Sequence, residues 1–179
     1  MQAPGDRGED TEGGFEHGGW QRPYFDEILG AGGAEGMAAT DAYLFGRKTY
    51  EIMAAHWPTA PADDPYAAHL NATMKYVASR TLERVDWQNS TLIEGDVAEA
   101  VAGLKQQPGG NIAILGSGDL VQTLIASDLV DEYSLMVFPV VLGSGKRLFR
   151  QSGQARSLKL LDAKTTTTGG LMLTYQPAR

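Results

Sequence analysis

Apolar residues recur in the middle of the chain at spacings that predict alternating strands and helices. A short apolar run at residues 42–45 predicts a buried strand. The helical spacing of Tyr50 and Met53 predicts a helix that ends before Pro58, and residues 46–49 form the turn between the two elements. The pattern is therefore that of a β-turn-α unit.

The same alternation continues towards the C-terminus. Further strands are predicted at residues 75–78, 91–93 and 112–115, and helices at residues 96–106, with Asp96 as N-cap, and from residue 119 onwards. Strands separated by helices predict a largely parallel sheet covered on both faces. The end of the chain is rich in strands, at residues 132–141, 158–161 and 171–175, with Gly169-Gly170 as the last turn. We therefore predict an α/β fold of three layers, closed by a C-terminal antiparallel hairpin at one edge of the sheet.

The start of the chain has a different pattern. Residues 1–19 lack helical or strand periodicity, and 10 of the 22 glycines lie in the first 36 residues. We expect a flexible arm over residues 1–19 and one domain over residues 20–179. Within that domain, Tyr24, Phe25, Ile28 and Leu29 predict a short helix ended by Gly30 and the pair Gly32-Gly33.

Composition and charge exclude several classes of protein. The chain has 179 residues and no cysteine, which excludes disulfides and thiolate chemistry, and its longest apolar runs are too short to span a membrane. Six of its seven net negative charges fall in residues 1–36, and no basic cluster exceeds a pair, which argues against a nucleic-acid partner. We expect a soluble protein with a small-molecule ligand, and cytoplasmic because no signal peptide opens the chain.

Three loops that follow predicted strands suit an anion. The first consists of Gly116, Ser117 and Gly118, followed by Asp119 and Leu120 at the start of a helix. Glycine lets a ligand approach the backbone, and the first N–H groups of a helix attract a diphosphate. Because Val121 stands where the dinucleotide fingerprint has its third glycine, a plain tight turn remains the alternative.

The second loop consists of Gly46, Arg47, Lys48 and Thr49. It puts two cations in the first turn of a helix, where the helix dipole disfavours them unless an anion binds there. The third loop consists of Ser79, Arg80 and Thr81, which could hold a phosphate monoester. Solvated basic side chains and a solvated turn are the alternatives for these two loops, but all three follow strands of one predicted parallel sheet, where α/β proteins bind nucleotides.

The residues also carry a resemblance to a known family. The run from Leu44 to Glu51 resembles the Gly-Arg-x-Thr segment of dihydrofolate reductases, with residues 79–81 and 116–120 in the positions of that family's other cofactor loops. Residues 129–133 and 138–149 more closely resemble the reductase domain of bacterial riboflavin biosynthesis. The resemblance implies a dihydrofolate-reductase-like fold, bound NADPH, hydride transfer to a small heterocycle such as a pterin or flavin precursor, and a homodimer.

Some features depart from the family. No Lys or Arg occurs between Lys48 and Lys75, which argues against folate and against a phosphorylated pyrimidine unless Lys146, Arg147 or a partner subunit supplies the charge. The family's first strand has no counterpart after Met1. We therefore expect either that the chain starts at an internal methionine or that another element fills that position.

Asp26 is the candidate catalytic acid, because it follows an aromatic pair on the helix that lines the substrate pocket in the resembling folds. Apolar neighbours would raise its pKa and let it protonate the acceptor. An ordinary helix N-terminus is the alternative for Asp26, and no metal site is predicted. The sequence thus predicts an NADPH-dependent reductase, with a nucleotide-binding protein without turnover as the alternative.

Overall fold

Two sheets organise the chain in this computed structural model, which describes residues 1–61, 63–149 and 155–178. The helices are α1 (Glu27–Ala38), α2 (Arg47–His56), α3 (Pro65–Ala72), α4 (Val97–Leu104) and α5 (Gly118–Ala126). The strands are β1 (Thr40–Gly46), β2 (Met74–Ala78), β3 (Ser90–Ile93), β4 (Asn111–Ala113), β5 (Tyr133–Val137), β6 (Leu158–Thr165) and β7 (Leu171–Pro177). Contacts divide the chain into two compact units, Ala34–Leu129 and a second formed by Met1–Gly33 with Val130–Arg179.

The unit Ala34–Leu129 contains a parallel sheet in the strand order β3-β2-β1-β4. Its central strand β1 is buried from Ala42 to Phe45, as its uninterrupted apolar run predicts. The core around it is aromatic, because Tyr43 stacks on Phe45 and Phe45 stacks on Trp87. Tyr43 and Phe45 lie on the same face of β1, so the buried rings form one aromatic cluster against that face.

The other unit contains a three-stranded antiparallel sheet in the order β5-β7-β6. The predicted hairpin is present: β6 and β7 pair from Leu158 and Pro177 to Thr165 and Leu171. At the turn, the Thr166 hydroxyl accepts a hydrogen bond from the N–H of Gly170, and Gly169 has φ +85°. The predicted α/β class is confirmed, but among the described residues the hairpin belongs to this separate sheet and not to an edge of the parallel one.

Helix α1 is longer than predicted. The expectation that Gly30 and the pair Gly32-Gly33 end it is wrong, because the helix continues to Ala38. Glycine costs a helix only about 1 kcal/mol relative to alanine, so a packing requirement can override it. Gly32 lies against the Met172 side chain, whose terminal methyl would have to shift to admit a Cβ.

Residues 1–19 form short turns and a 3-10 helix at Glu12–Gly14. Gln2, Ala3 and Phe15 are buried within their unit, and the indole N–H of Trp20 donates to the Gln2 carbonyl oxygen at 2.9 Å. The predicted flexibility of this arm and the predicted domain boundaries remain predictions. In the described part of the chain, no helix is long and apolar enough to cross a membrane.

Lys75 on β2 is fully buried, a feature that the sequence analysis missed. Its ammonium donates to the carbonyl oxygens of Leu70 and Thr73, both at 2.6 Å, near the C-terminal end of α3. It also lies 4.5 Å from the centre of the Trp87 ring. Burial disfavours the charged ammonium and lowers the pKa of Lys75 to about 8.

We predict that the free energy of unfolding rises between pH 8 and pH 10. In this range the unfolded chain keeps a proton on Lys75 that the folded chain has lost, so stability increases with pH. Above pH 10 the trend should reverse, because burial raises the pKa of Tyr43 to about 12 and the folded chain then binds more protons. The pH dependence of the free energy of unfolding is measured by urea unfolding of the wild type and of Lys75→Met at several pH values. Equal slopes for the two proteins between pH 8 and pH 10 would contradict it.

Candidate functional site

The parallel sheet brings the three predicted anion loops to one edge. Strand β1 lies between β2 and β4, and in the register of β1 and β2 Gly46 pairs with Ala78. The loops 46–49, 79–81 and 116–120 therefore follow three adjacent parallel strands at their carboxyl ends. This is the edge at which open α/β sheets bind ligands.

Two of these loops are joined by Ser117. The backbone N–H of Gly46 donates to the Ser117 hydroxyl oxygen at 2.9 Å, and the N–H of Ser117 donates to the Thr49 hydroxyl oxygen at 3.1 Å. The Ser117 hydroxyl also donates to the carbonyl oxygen of Leu115 at 3.2 Å. These bonds fix the turn after β1 against the turn after β4.

Ser117 has a left-handed backbone, with φ +50° and ψ +43°. A serine disfavours this conformation, and such strain persists only where surrounding contacts hold it. Gly116 before it also has positive φ, and a Cβ there would lie 3.4 Å from the Thr49 hydroxyl oxygen. The turn is therefore held in a shape that few other sequences would adopt.

The helices that begin at these two loops differ from their neighbours at the first turn. Asp64 and Asp96 cap α3 and α4, and each carboxylate accepts two backbone N–H groups. In contrast, the N-cap residues of α2 and α5, Gly46 and Ser117, make no side-chain cap hydrogen bond. The uncapped first turns leave the positive ends of two helix dipoles at the shared edge of the sheet.

Exposed cations accompany these helix ends. Arg47 and Lys48 in the first turn of α2 and Arg80 after β2 are all exposed. Arg47 lies 3.7 Å from the Glu51 carboxylate one turn along the helix, which relieves part of the predicted cost of a cation at this position. The three cations bring positive charge to the site, and two acids, Glu51 and Asp119 in the first turn of α5, offset part of it.

The remaining predicted residues shape the loops. The Ser79 hydroxyl oxygen accepts from the N–H groups of Thr81 and Leu82, at 3.1 and 3.0 Å, and so closes its own turn. Leu120 is buried, and its Cβ would lie 3.7 Å from a Cβ at Gly46. The direct contacts of residues 46–49, 79–81 and 116–120 with a cofactor remain predictions.

The donor set fits an anionic nucleotide. Backbone N–H groups at two uncapped helix starts suit phosphate oxygens, and guanidinium groups suit a phosphate monoester. The left-handed turn at Ser117, held by three hydrogen bonds, is the structural observation that supports this fit.

Asp26 lies in the other unit and makes different contacts from those expected. One carboxylate oxygen accepts from the N–H of Leu29 at 2.9 Å, and the other accepts from the N–H and the hydroxyl of Thr167, both at 2.6 Å. The hydrogen bond from the Thr167 hydroxyl and that from the Leu29 N–H hold the pKa of Asp26 below its usual value. The expectation of a raised pKa is therefore wrong, because donors surround the carboxylate where apolar groups were expected.

A groove beside the loops was not found from the sequence. It has a volume of about 670 Å³ and is lined by Tyr50 and Glu51 of α2 together with Leu82, Arg84 and Trp87. Glu51 is also the partner of Arg47, so the groove borders the cationic start of α2. The buried Trp87 that contributes to it is separated from α2 by 30 residues, and no local pattern indicates the contact.

The chain belongs to the family described as the RibD C-terminal domain, whose model matches residues 32–173. It is 34% identical to the uncharacterized protein YyaP of Bacillus subtilis strain 168 over 140 residues, which cover 75% of this chain and 73% of YyaP. It is 31% identical to the uncharacterized protein YwjB of the same strain over 144 residues, which cover 79% of this chain and 78% of YwjB. The predicted resemblance to the riboflavin-biosynthesis reductase domain is thus confirmed.

Two solved structures show the same fold. A putative riboflavin biosynthesis protein from Shewanella sp. PV-4 is 23% identical, with a TM-score of 0.67. The match covers 87% of this chain and 81% of the Shewanella chain. A pyrimidine reductase-like protein from Corynebacterium diphtheriae NCTC is 13% identical, with a TM-score of 0.59. The match covers 89% of this chain and 84% of the Corynebacterium chain. The dihydrofolate-reductase-like fold is therefore confirmed.

We predict that Ser117→Ala lowers the free energy of unfolding by about 1–2 kcal/mol, because it removes the acceptor for the Gly46 N–H and keeps the left-handed strain. Ser117→Gly should cost about 1 kcal/mol less, because glycine accepts positive φ. Urea unfolding compares the three proteins. The hydroxyl bridge would be disproved by an alanine variant as stable as the wild type.

We predict that Asp26→Asn removes part of the acid sensitivity of the protein. Since the folded pKa is lowered, the carboxylate stabilises the fold above its unfolded pKa of about 3.9, and this contribution is lost as the pH falls through the folded pKa. Unfolding curves between pH 2 and pH 6 measure the effect, with Glu27→Gln as a matched control. If the wild type and Asp26→Asn lost the same free energy of unfolding between pH 6 and pH 2, the role of the Thr167 contact would be contradicted.

Proposed function

We propose that the protein is an NADPH-dependent reductase that transfers hydride to a small heterocyclic acceptor of the pterin or flavin-precursor type. The membership in the RibD C-terminal domain family supports a reductase related to riboflavin biosynthesis. The observation that carries the cofactor assignment is the Ser117 bridge, which fixes two uncapped helix starts side by side at the carboxyl edge of the sheet.

Different groups of residues would bind the diphosphate and the 2′-phosphate of the cofactor. The N–H groups of Gly118, Asp119 and Leu120 at the start of α5 and those of the first turn of α2 would hold the diphosphate, because helix starts bind phosphate oxygens. Gly116 and Ser117 would shape the turn around it. Arg47, Lys48 and Arg80, with the hydroxyls of Thr49 and Thr81, would hold the 2′-phosphate through charge-assisted hydrogen bonds. When bound, NADPH supplies the hydride for reduction.

The chain's own contribution is binding and orientation. Ser117 and Thr49 keep the two helix starts in place before the ligand arrives, which lowers the ordering cost of binding. Asp26 is ionised at neutral pH because its pKa is lowered, so we restrict its role to holding the start of α1 against Thr167. A homodimer remains a prediction of the family resemblance.

A nucleotide-binding protein without turnover is the second candidate. It is favoured by the pKa of Asp26, the candidate acid, which the hydrogen bonds from Thr167 and Leu29 lower. A group with a lowered pKa is a poor proton donor at neutral pH. The two candidates therefore agree on binding and differ in catalysis.

We predict that the protein binds NADPH more tightly than NADH, and that Arg47→Ala and Arg80→Ala each reduce this preference. Loss of one charge-assisted contact to the 2′-phosphate should cost roughly 1.5–3 kcal/mol, about 10- to 100-fold in affinity. Calorimetry with both cofactors measures the ratio. Arg22→Ala, which removes an exposed arginine paired with Asp6 in the other unit, is the matched control. Equal affinity of the wild type for NADPH and NADH would overturn the 2′-phosphate assignment.

We predict acceptor-dependent oxidation of NADPH, followed as loss of the nicotinamide absorbance in a panel of pterins, flavin precursors and quinones. The reductase requires at least one acceptor to be reduced with matching loss of NADPH. Binding of NADPH with no oxidation across the panel would favour the protein without turnover.

A further inference from the structure

The groove beside the cofactor loops has no part in the proposed function. It lies wholly within the unit Ala34–Leu129, where α2, the end of α3 and residues 82–88 line it. Its volume of about 670 Å³ falls in the range of small-molecule sites. Short side chains line it from α2, at Ala54 and Ala55, and Leu82 adds apolar surface from the segment 82–88. The groove therefore has the size and the apolar surface that a small ring needs.

Two buried aromatic residues, Tyr50 and Trp87, also line the groove and are held in place by hydrogen bonds. The backbone N–H of Trp87 donates to the Tyr50 hydroxyl oxygen at 3.0 Å, and the Trp87 indole N–H donates to the Asn71 side-chain oxygen at 2.7 Å. The Asn71 amide in turn donates to the carbonyl oxygen of Trp57 at 3.0 Å. Segments distant in sequence are thus ordered before a ligand arrives, which lowers the cost of binding.

Tyr50 has a hydrogen-bond donor that the protein does not use. The residue is only 5% exposed, and its hydroxyl oxygen accepts from the Trp87 N–H. A tyrosine hydroxyl also has a proton to donate, and among the described residues that proton has no acceptor. Because an unpaired donor away from water is costly, a ligand with an acceptor atom at this position would gain a hydrogen bond.

The exposed polar side chains of the groove are mostly acceptors. Glu51 and Asp86 are exposed carboxylates, and each has a loose partner: Glu51 lies 3.7 Å from Arg47, and Asp86 lies 3.3 Å from Arg84. Both carboxylates can accept further hydrogen bonds. Two acids and one base, Arg84, line the groove, which leaves one net negative charge. This charge favours a ligand that donates N–H groups and disfavours a phosphate.

We propose that this groove binds a planar nitrogen heterocycle that has an exocyclic amino group. An acceptor atom of the ring would take the Tyr50 hydroxyl proton in a hydrogen bond, and the amino group would donate to Glu51 or Asp86. The flat faces of the ring would contact Ala55 and Leu82. The proposal does not rest on the reductase assignment, because none of these residues belongs to the cofactor loops.

The test is a titration of the isotopically labelled protein with adenine and with aminopyrimidine, followed by amide and indole chemical shifts. The reference compounds are their methyl analogues, in which a methyl group replaces the exocyclic amino group and the shape is kept. The amino compounds should cause saturable shifts in residues 50–55 and 82–88. They should bind about tenfold or more tightly than the methyl analogues, which leave the carboxylates without a donor.

Variants of the lining locate the ring. Ala55→Leu should abolish the adenine shifts, because it fills the groove from an exposed position of α2. The matched control is Ala68→Leu, at an exposed position of α3 away from the groove lining, and its affinity should equal that of the wild type. Tyr50→Phe should weaken adenine binding about tenfold or more. If Tyr50→Phe does not fold, Glu51→Ala with Asp86→Ala replaces it, with the same expected loss.

Competition distinguishes the two sources of such a ring. Displacement of adenine by NADPH would identify the ring as the base of a nucleotide, whereas simultaneous binding would identify it as a free heterocycle. The proposal is overturned if neither amino compound causes saturable shifts in these segments, if the methyl analogues bind equally well, or if Ala55→Leu binds adenine as the wild type does. None of these results depends on NADPH oxidation, so the reductase proposal stands or fails separately.

Discussion

The hydrogen bonds of Ser117 are the contacts on which the candidate site depends. The parallel sheet places the turns after β1 and β4 next to each other, but adjacency alone does not orient two helix starts. Ser117 does so, because its hydroxyl accepts from Gly46 and its N–H donates to Thr49. The left-handed backbone of this serine shows that the arrangement is held against a local preference, as is common at functional sites.

Four helices begin in the unit Ala34–Leu129, and their first turns differ in capping and charge. Asp64 and Asp96 cap the first turns of α3 and α4, whereas the N-cap residues of α2 and α5 make no such bond. Helix α2 begins with Arg47, and α5 has Asp119 in its first turn. An uncapped start is less stable by about 1 kcal/mol than a capped one. The two starts that lack this stabilisation lie together at the sheet edge, where a bound anion would replace the caps.

Much of this arrangement could be predicted from the sequence, because it depends on local patterns. The apolar run of β1, the N-cap at Asp96 and the glycine turn before α5 all have short-range signals. Contacts between residues distant in sequence have no such local signal. The contact of α1 with Met172, the two hydrogen bonds that Asp26 receives from Thr167, the Trp87 ring beside Lys75 and the ion pairs of Lys146 with the arm all involve partners distant in sequence. The aromatic pair before Asp26 suggested a raised pKa, but the groups that contact its carboxylate are hydrogen-bond donors of Leu29 and Thr167, which lower the pKa.

The most direct measurement of the central claim is a titration of the isotopically labelled protein with NADPH, followed by amide chemical shifts. The account predicts that saturable shifts are largest for the backbone amides of residues 47–49, 79–81 and 117–120, because these three loops would lie against the phosphates of the bound cofactor. Saturable shifts that exclude these three loops, or no saturable shifts at all, would contradict it.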